Sequence, residues 1–227
     1  MKKIIRTMHL VLVAVAMVAI VGCGREENDN SDGWVDLGLP SGLLWAECNV
    51  GATAPEEFGD YFAWGETQAK SDYNWTTYLY SRGTFEQLTK YCYDASYGSN
   101  GFIDSLTIIV PEDDAATVHL GGGARIPTKE DWEELIENTT IKFSPLNGVA
   151  CCKFTAANGK SIYLPGAGYR YNTDLCFLGN DGFYWSSTLS NMNPGVAWEY
   201  RIGPNTNDVG MTDRSYGRSV RAVRPGR

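Results

Sequence analysis

Histidine is nearly absent from this 227-residue chain, which has only His9 and His119. The chain also has no C-x-x-C pair and no G-x-S-x-G segment. These absences exclude a histidine-rich zinc or iron site, and they argue against a serine hydrolase, whose triad would depend on His119. His119 stands close to Gly121-Gly122-Gly123, which favours the end of a helix over a catalytic base.

Long apolar runs are also scarce, because only residues 10–21 (LVLVAVAMVAIV) form one. A helix of this length extends about 18 Å, well short of the ~30 Å hydrocarbon core of a membrane. Basic residues precede the run, and Ile20-Val21-Gly22-Cys23 ends it, which is the pattern of a bacterial lipoprotein signal. We therefore predict a signal peptide at 1–22 and lipidation of Cys23, with an ordinary secretory signal as the alternative.

No apolar residue occurs between Gly24 and Gly33. Such a segment buries nothing, so residues 23–33 are predicted to form a solvated acidic tether. The acidic cluster resembles the surface-export signal of Bacteroidetes lipoproteins, and Gly24 rather than Asp follows the cysteine, which argues against inner-membrane retention. We expect an outer-membrane lipoprotein, held by its lipid anchor and facing the cell surface, with a periplasm-facing orientation as the alternative.

Basic residues are outnumbered by acidic ones. Without residues 1–22, the chain has 16 Lys and Arg against 27 Asp and Glu, a net charge of -11. A nucleic-acid partner is therefore not expected. The composition, 43% hydrophobic and 12% aromatic, is too apolar for a disordered chain, and 205 residues are enough to bury a core.

Five cysteines remain when Cys23 is set aside, and an odd number cannot form a closed disulfide framework. Cys151 and Cys152 are adjacent in a predicted strand, so their side chains point to opposite faces and cannot easily bond to each other. One disulfide stays open as an alternative, and we favour buried free thiols. The five are Cys48, Cys92, Cys151, Cys152 and Cys176.

Two helices and several strands are predicted. Pro111 and the acids after it begin a short helix, and Thr128 caps a stronger one whose buried face holds Trp132, Leu135 and Ile136. Alternation and turn residues predict hairpins at 34–46 and, around Asn158-Gly159, at 152–164. Further strands are predicted at 183–188, 196–202 and 218–223. The polar, Tyr-rich stretch 67–105 predicts a long, variable surface excursion.

Six stretches carry a family resemblance: WVDLGLPSGLLWAECNVGA at 34–52, GDYFAWGE at 59–66, DDAATVHLGGGARIPTKEDWEEL at 113–135, SIYLPGAGYR at 161–170, YWSST at 184–188 and GRSVRAVRP at 217–225. They resemble the Fibrobacter succinogenes major paralogous domain, a family of secreted and surface bacterial proteins. The resemblance implies one domain over residues 34–227. Its expected fold class is α+β, C-type-lectin-like, with two short helices and an irregular antiparallel β-sheet.

The enzymes that share this fold depend on ligands that this chain lacks. Formylglycine-generating enzymes have a copper-binding cysteine pair near the C-terminal end, but no cysteine follows Cys176. Iron-dependent sulfoxide synthases need a histidine cluster, and the calcium-binding E-P-N and W-N-D lectin motifs are absent. We therefore expect a non-catalytic protein without metal or cofactor.

Proteins of this fold present ligand-contacting side chains on the C-terminal sheet and its loops. The resemblance therefore implies that a glycan or protein ligand binds to aromatic and polar residues of that region. Trp185 and Trp198 lie on alternating strands, so a core position is the alternative for both. For Arg201, Arg218, Arg221 and Arg224, structural pairing is favoured over an acidic ligand. The candidate ligand-binding residues are Tyr169, Tyr171, Trp185, Trp198, Tyr200, Asn205, Asn207, Asp208, Asp213 and Tyr216.

Two other function classes stay open. One is an envelope hydrolase or redox enzyme that uses carboxylates such as Asp60, Asp113 or Asp114. The other is a structural accessory of a surface assembly.

Overall fold

The computed structural model describes residues 33–226. The predicted signal peptide, the predicted lipidation site Cys23 and the predicted tether as far as Asp32 lie outside the described residues. Among the helices of residues 33–226, none has the length and apolar character needed to cross a membrane.

Residues 33–226 form two short α-helices and thirteen β-strands, joined by long irregular segments. The helices are α1 (Ala115–Leu120) and α2 (Lys129–Asn138). The strands are β1 (Trp34–Asp36), β2 (Leu43–Asn49), β3 (Tyr61–Phe62), β4 (Thr139–Phe143), β5 (Cys151–Ala156), β6 (Ser161–Pro165), β7 (Tyr169–Tyr171), β8 (Asp174–Cys176), β9 (Gly182–Leu189), β10 (Val196–Ile202), β11 (Asn207–Asp213), β12 (Arg218–Ser219) and β13 (Arg221–Pro225).

The strands form four small sheets, which run β1-β2-β13, β11-β10-β9-β12-β3, β4-β5-β6 and β7-β8. Every pairing is antiparallel except the one between β12 and β9. The expected α+β class, with two short helices and mostly antiparallel sheets, is confirmed. Both predicted hairpins are confirmed as well, because β1 pairs with β2 and β5 pairs with β6 around a turn at Gly159, where φ is 84°.

The helix α2 begins as its sequence predicts. The Thr128 hydroxyl accepts from the Asp131 amide, and the Asp131 carboxylate accepts from the Thr128 amide, which completes a capping box. The helix buries Trp132 and Leu135 fully, and the Trp132 ring stacks on Tyr200 with centroids 4.8 Å apart. The sheet face beneath α2 is therefore core.

The helix α1 begins later than predicted. Residues Pro111–Asp113 form only a 3-10 turn, because Asp114 has an extended backbone (φ -90°, ψ 111°) that ends it. The Asp114 carboxylate then caps α1 by accepting from the Thr117 amide at 3.0 Å. His119 lies in the last turn of α1, as its glycine neighbours predict.

The stretch 67–105, which is predicted to be a surface excursion, is anchored in the core by several of its side chains. It contains neither an α-helix nor a strand, yet several of its side chains are among the most buried in the described chain. Arg214 holds it in place from the C-terminal part, with its guanidinium against the rings of Trp64, Tyr78 and Tyr91. The buried side chains of the stretch are Tyr73, Tyr78, Leu88, Tyr91 and Cys92.

The five cysteines of the described part are free thiols. Cys92, Cys151 and Cys152 are buried, whereas Cys48 and Cys176 are half-buried. Burial raises the pKa of Cys151 and of Cys152 to about 11, so both thiols stay protonated at neutral pH.

Candidate functional site

The central strands β9 and β10 separate two environments. Tyr200 and Ile202 of β10 face α2 and belong to the core cluster around Trp132. Glu199 and Arg201 alternate with them, so they lie on the other face of the sheet, towards the β7–β8 hairpin. A ligand can reach this second face only where the hairpin leaves side chains exposed.

Two predicted ligand-binding residues lie in the core instead. The side chains of Trp185 and Tyr200 are 0% exposed. The Trp185 indole donates to the Phe62 carbonyl at 2.6 Å, and Tyr200 stacks on Trp132. The expectation that they contact a ligand directly is therefore corrected. Both faces of the two central strands are covered, so the rings on either face are buried.

Other predicted site residues are spread along the β10–β11 hairpin. Trp198 is half-buried on the α2 side, where the Lys129 ammonium lies 5.0 Å from its ring centroid. Asn205 lies in the exposed turn after β10. The Tyr200 hydroxyl donates to Asn207, and Asp208 binds the Arg201 guanidinium through contacts of 3.0 and 2.6 Å. Asp213 lies at the end of β11, and burial raises the pKa of its carboxyl.

The structure does bring three predicted residues, Tyr169, Tyr171 and Tyr216, into one cluster. The Tyr169 and Tyr216 rings are nearly parallel, with centroids 6.0 Å apart and 6° between their planes. The ring centroid of Tyr171 lies 4.9 Å from that of Tyr216. Two residues that sequence reasoning missed complete the cluster: Phe177 stacks 5.8 Å from Tyr169, and Phe183 meets Tyr169 edge-on at 5.1 Å.

We call Tyr169, Tyr171, Phe177, Phe183 and Tyr216 the aromatic platform. Tyr171 is 42% exposed and Phe177 is 57% exposed, whereas the other three rings are half-buried. A connected cluster of exposed and half-buried rings is unusual on the surface of a globular protein, and such clusters often mark an interaction site. The platform is therefore the candidate site.

The local backbone explains how the platform forms. Tyr169 and Tyr171 are two residues apart in β7, so their side chains share one face. Asn172 turns the chain with φ 51°, and β8 returns alongside β7. Gly168 (φ 62°) precedes β7 and lets the backbone there approach the end of β8 closely, because a Cβ at this position would collide with the Cys176 carbonyl oxygen.

A buried ion pair lies beneath the platform. Arg218 Nε donates to Glu199 Oε2 at 2.6 Å, and both side chains are 3% exposed. The guanidinium carbon is 4.2 Å from the Tyr169 ring centroid and 5.4 Å from that of Tyr216. Arg218 Nη2 also donates to the Thr212 hydroxyl at 2.9 Å. Burial raises the pKa of Glu199, and the neighbouring Arg218 opposes this effect.

This arrangement decides what the platform can bind. The Arg218 cation already interacts with the electron-rich faces of the tyrosine rings, so a second cation gains little there. The exposed ring faces offer flat apolar area, and the tyrosine hydroxyls add hydrogen bonds at low conformational cost. These properties suit a ligand with apolar faces and hydroxyl edges.

The favoured structural role of the arginines is confirmed for Arg201 and Arg218, which pair with Asp208 and Glu199. Arg221 is fully buried and instead donates to Asn49 at 3.0 Å and to backbone carbonyls, including that of Tyr163 at 2.9 Å. The Arg224 guanidinium lies over the Trp34 ring, 4.5 Å from its centroid.

The acids of the enzyme alternative lie apart from the platform. Asp113 accepts from the Lys90 ammonium and the Tyr91 hydroxyl, and Asp114 accepts from the Ile126 amide at 2.8 Å. Burial raises the pKa of Asp114. Asp60 lines a surface opening near β7. Over residues 33–226, no group of three or more His, Cys, Asp or Glu side chains is placed to hold a metal ion.

No protein family, curated protein or solved structure matches this chain. The resemblance to the major paralogous domain family therefore stays a prediction, which depends on the residues of this sequence.

Proposed function

We propose that this protein is a lipid-anchored cell-envelope protein whose C-type-lectin-like domain binds a glycan or protein ligand without catalysis. The observation that supports the proposal is the aromatic platform, in which five rings form one connected cluster and two of them are more than 40% exposed. The ion pair beneath it fixes the rings and contributes no exposed charge.

The chemistry of the platform favours a glycan. A pyranose ring has one apolar C–H face, which packs on an aromatic ring, and a hydroxyl edge, which needs polar partners. The hairpin supplies such partners, because exposed Asp174 is the cross-strand neighbour of Tyr171, and Asn172 stands between them. A flat protein ligand is the alternative within the same proposal.

The anchor would hold the platform near the membrane. The eleven residues 23–33 span at most about 40 Å when fully extended. A tether of this reach lets the domain contact glycans or proteins of the same envelope, or molecules that arrive at its surface.

Replacement of the lipidated residue tests the anchor. Cys23→Ala is expected to abolish acyl labelling and to leave the protein released or unprocessed, because the thioether has no sulfur to form on. Cys176→Ala is the matched control and should keep the label. Membrane fractionation after metabolic labelling gives the result, and a Cys23→Ala protein that still partitions with membranes would contradict the lipoprotein assignment.

The binding function is tested with the purified full chain on an array of glycans and envelope extracts. The platform variant is Tyr171→Ala with Phe177→Ala, because both side chains are exposed and their loss should leave the fold intact. The matched control is Tyr93→Ala with Phe143→Ala, which removes one exposed Tyr and one exposed Phe elsewhere. Loss of two stacking rings is expected to weaken binding at least about ten-fold.

The two variants give distinct outcomes. Binding that the platform variant loses and the control keeps would support the proposal. Equal binding by both variants, or no binding by the native chain, would overturn it. In the last case, stable co-purification with one envelope protein would favour the accessory of a surface assembly.

A further inference from the structure

A second feature lies on the other side of the β7–β8 hairpin. Arg170 stands between Tyr169 and Tyr171 in β7, so its side chain points away from the platform. There it lines an open pocket of about 740 Å³. The polar side chains that line this pocket with Arg170 are Asp60, Lys70, Ser71 and Thr173, with Tyr61 and Tyr73 as aromatic wall.

The pocket has two cations, Arg170 and Lys70, and in the described part of the chain only Lys70 has an acidic partner. Lys70 binds Glu66 at 2.8 Å and also donates to the Thr77 carbonyl at 2.9 Å. The Arg170 guanidinium lies over the Tyr61 ring, 5.2 Å from its centroid. Within residues 33–226, Arg170 has no ion pair and its side chain donates no hydrogen bond. Even Asp60, in the same pocket, is more than 4.0 Å from its nitrogens.

A half-buried guanidinium held against a ring and without an acid is prepared for an incoming anion. Its planar fork matches a carboxylate with two parallel hydrogen bonds, a geometry that Lys cannot reproduce. The hydroxyls of Ser71 and Thr173 offer further donors, while the Asp60 carboxylate accepts from hydroxyl groups. Carboxylate and hydroxyl groups occur together on an acidic sugar.

We propose that this pocket binds the carboxylate of an acidic sugar residue, with Arg170 as the bidentate donor. The inference rests on the proposed function, since it adds an acidic residue to the glycan that the platform binds. Residues 33–226 contain 14 basic and 23 acidic side chains, so a densely charged polyanion would be repelled. The ligand is therefore a mainly neutral glycan with an isolated acidic residue.

Two matched probes test the pocket: methyl β-glucuronide has a carboxylate where methyl β-glucoside has a hydroxymethyl group. Each is titrated into the ¹⁵N-labelled full chain, and the Arg170 side-chain resonance is followed by NMR. The glucuronide is expected to bind about ten-fold more tightly than the glucoside. Arg170→Gln should abolish this preference, whereas Arg82→Gln, which removes the same charge from an exposed site, should keep it.

The platform variant separates this inference from the proposed function. Tyr171→Ala with Phe177→Ala should keep the preference for the glucuronide even if it loses array binding, because Arg170 faces the other side. Equal affinity for the two probes, or an unchanged preference in Arg170→Gln, overturns the pocket inference and leaves the platform proposal standing. A preference that Arg170→Gln removes, together with array binding that the platform variant keeps, supports the pocket and overturns the platform.

Discussion

Arg214→Met is expected to lower the free energy of unfolding by about 4 kcal/mol. The Arg214 side chain is 0% exposed and donates four hydrogen bonds. Its acceptors are the Tyr78 hydroxyl at 2.9 Å and the carbonyls of Tyr91, Pro194 and Lys90 at 2.9, 2.8 and 3.1 Å. Methionine fills similar volume but leaves these buried acceptors without donors, and it detaches the stretch 67–105 from the C-terminal part.

Chemical denaturation of the full chain measures this loss. Arg214→Lys keeps the charge but cannot reach all four acceptors, so its loss should be intermediate. Arg82→Met is the matched control, since Arg82 is exposed, and it should change the free energy of unfolding by less than about 0.5 kcal/mol. An Arg214→Met protein within about 1 kcal/mol of the native one would contradict this role.

The ion pair beneath the platform gives the second large effect. Arg218→Met alone should lower the free energy of unfolding by about 3–5 kcal/mol, because it leaves the Glu199 carboxylate buried without its counterion. Glu199→Leu alone should lower it by a similar amount, because it leaves the Arg218 guanidinium buried without its counterion. The double variant should recover most of the loss, since an apolar pair of similar volume replaces both charges.

A double-mutant cycle on unfolding free energies isolates the coupling between Glu199 and Arg218. The exposed pair Arg201–Asp208 on the same sheet is the control, because its side chains are 36% and 53% exposed and its coupling should stay below about 1 kcal/mol. Additive losses at Glu199 and Arg218 would show that the pair is not coupled, and the platform would then lack its proposed support.

The parts of the fold that local chemistry determines were predictable. The capping residue Thr128 and the face of Trp132 and Leu135 located α2, and Asn158-Gly159 located a hairpin. The strand β11 (NDVGMTD) has only a weak local signal, because Gly210 separates its two apolar residues, Val209 and Met211, and the strand depends on full pairing with β10. The stretch 67–105 has no α-helix or strand, and its buried tyrosines had no local signal, because Arg214 of the C-terminal part packs on them only in the folded chain.

The candidate site was predictable only in part. The resemblance named Tyr169, Tyr171 and Tyr216 among the candidate residues, and all three belong to the platform. Alternation could not show that both faces of β9 and β10 are covered, so no local signal separated the buried Trp185 and Tyr200 from the exposed candidates. Phe177 follows β8 and meets Tyr169 through the pairing of β7 with β8, a hairpin that the sequence pattern did not predict.

The most direct test of the platform is hydroxyl-radical footprinting of the full chain, with and without the glycan that binds most tightly on the array. Tyr171 and Phe177 should lose at least half of their labelling when the glycan is bound, because it would cover their exposed rings. Tyr93 and Phe143, which are similarly exposed elsewhere, should be labelled equally in both states. Unchanged labelling of Tyr171 and Phe177, with protection at another surface, would contradict the assignment of the ligand to the aromatic platform.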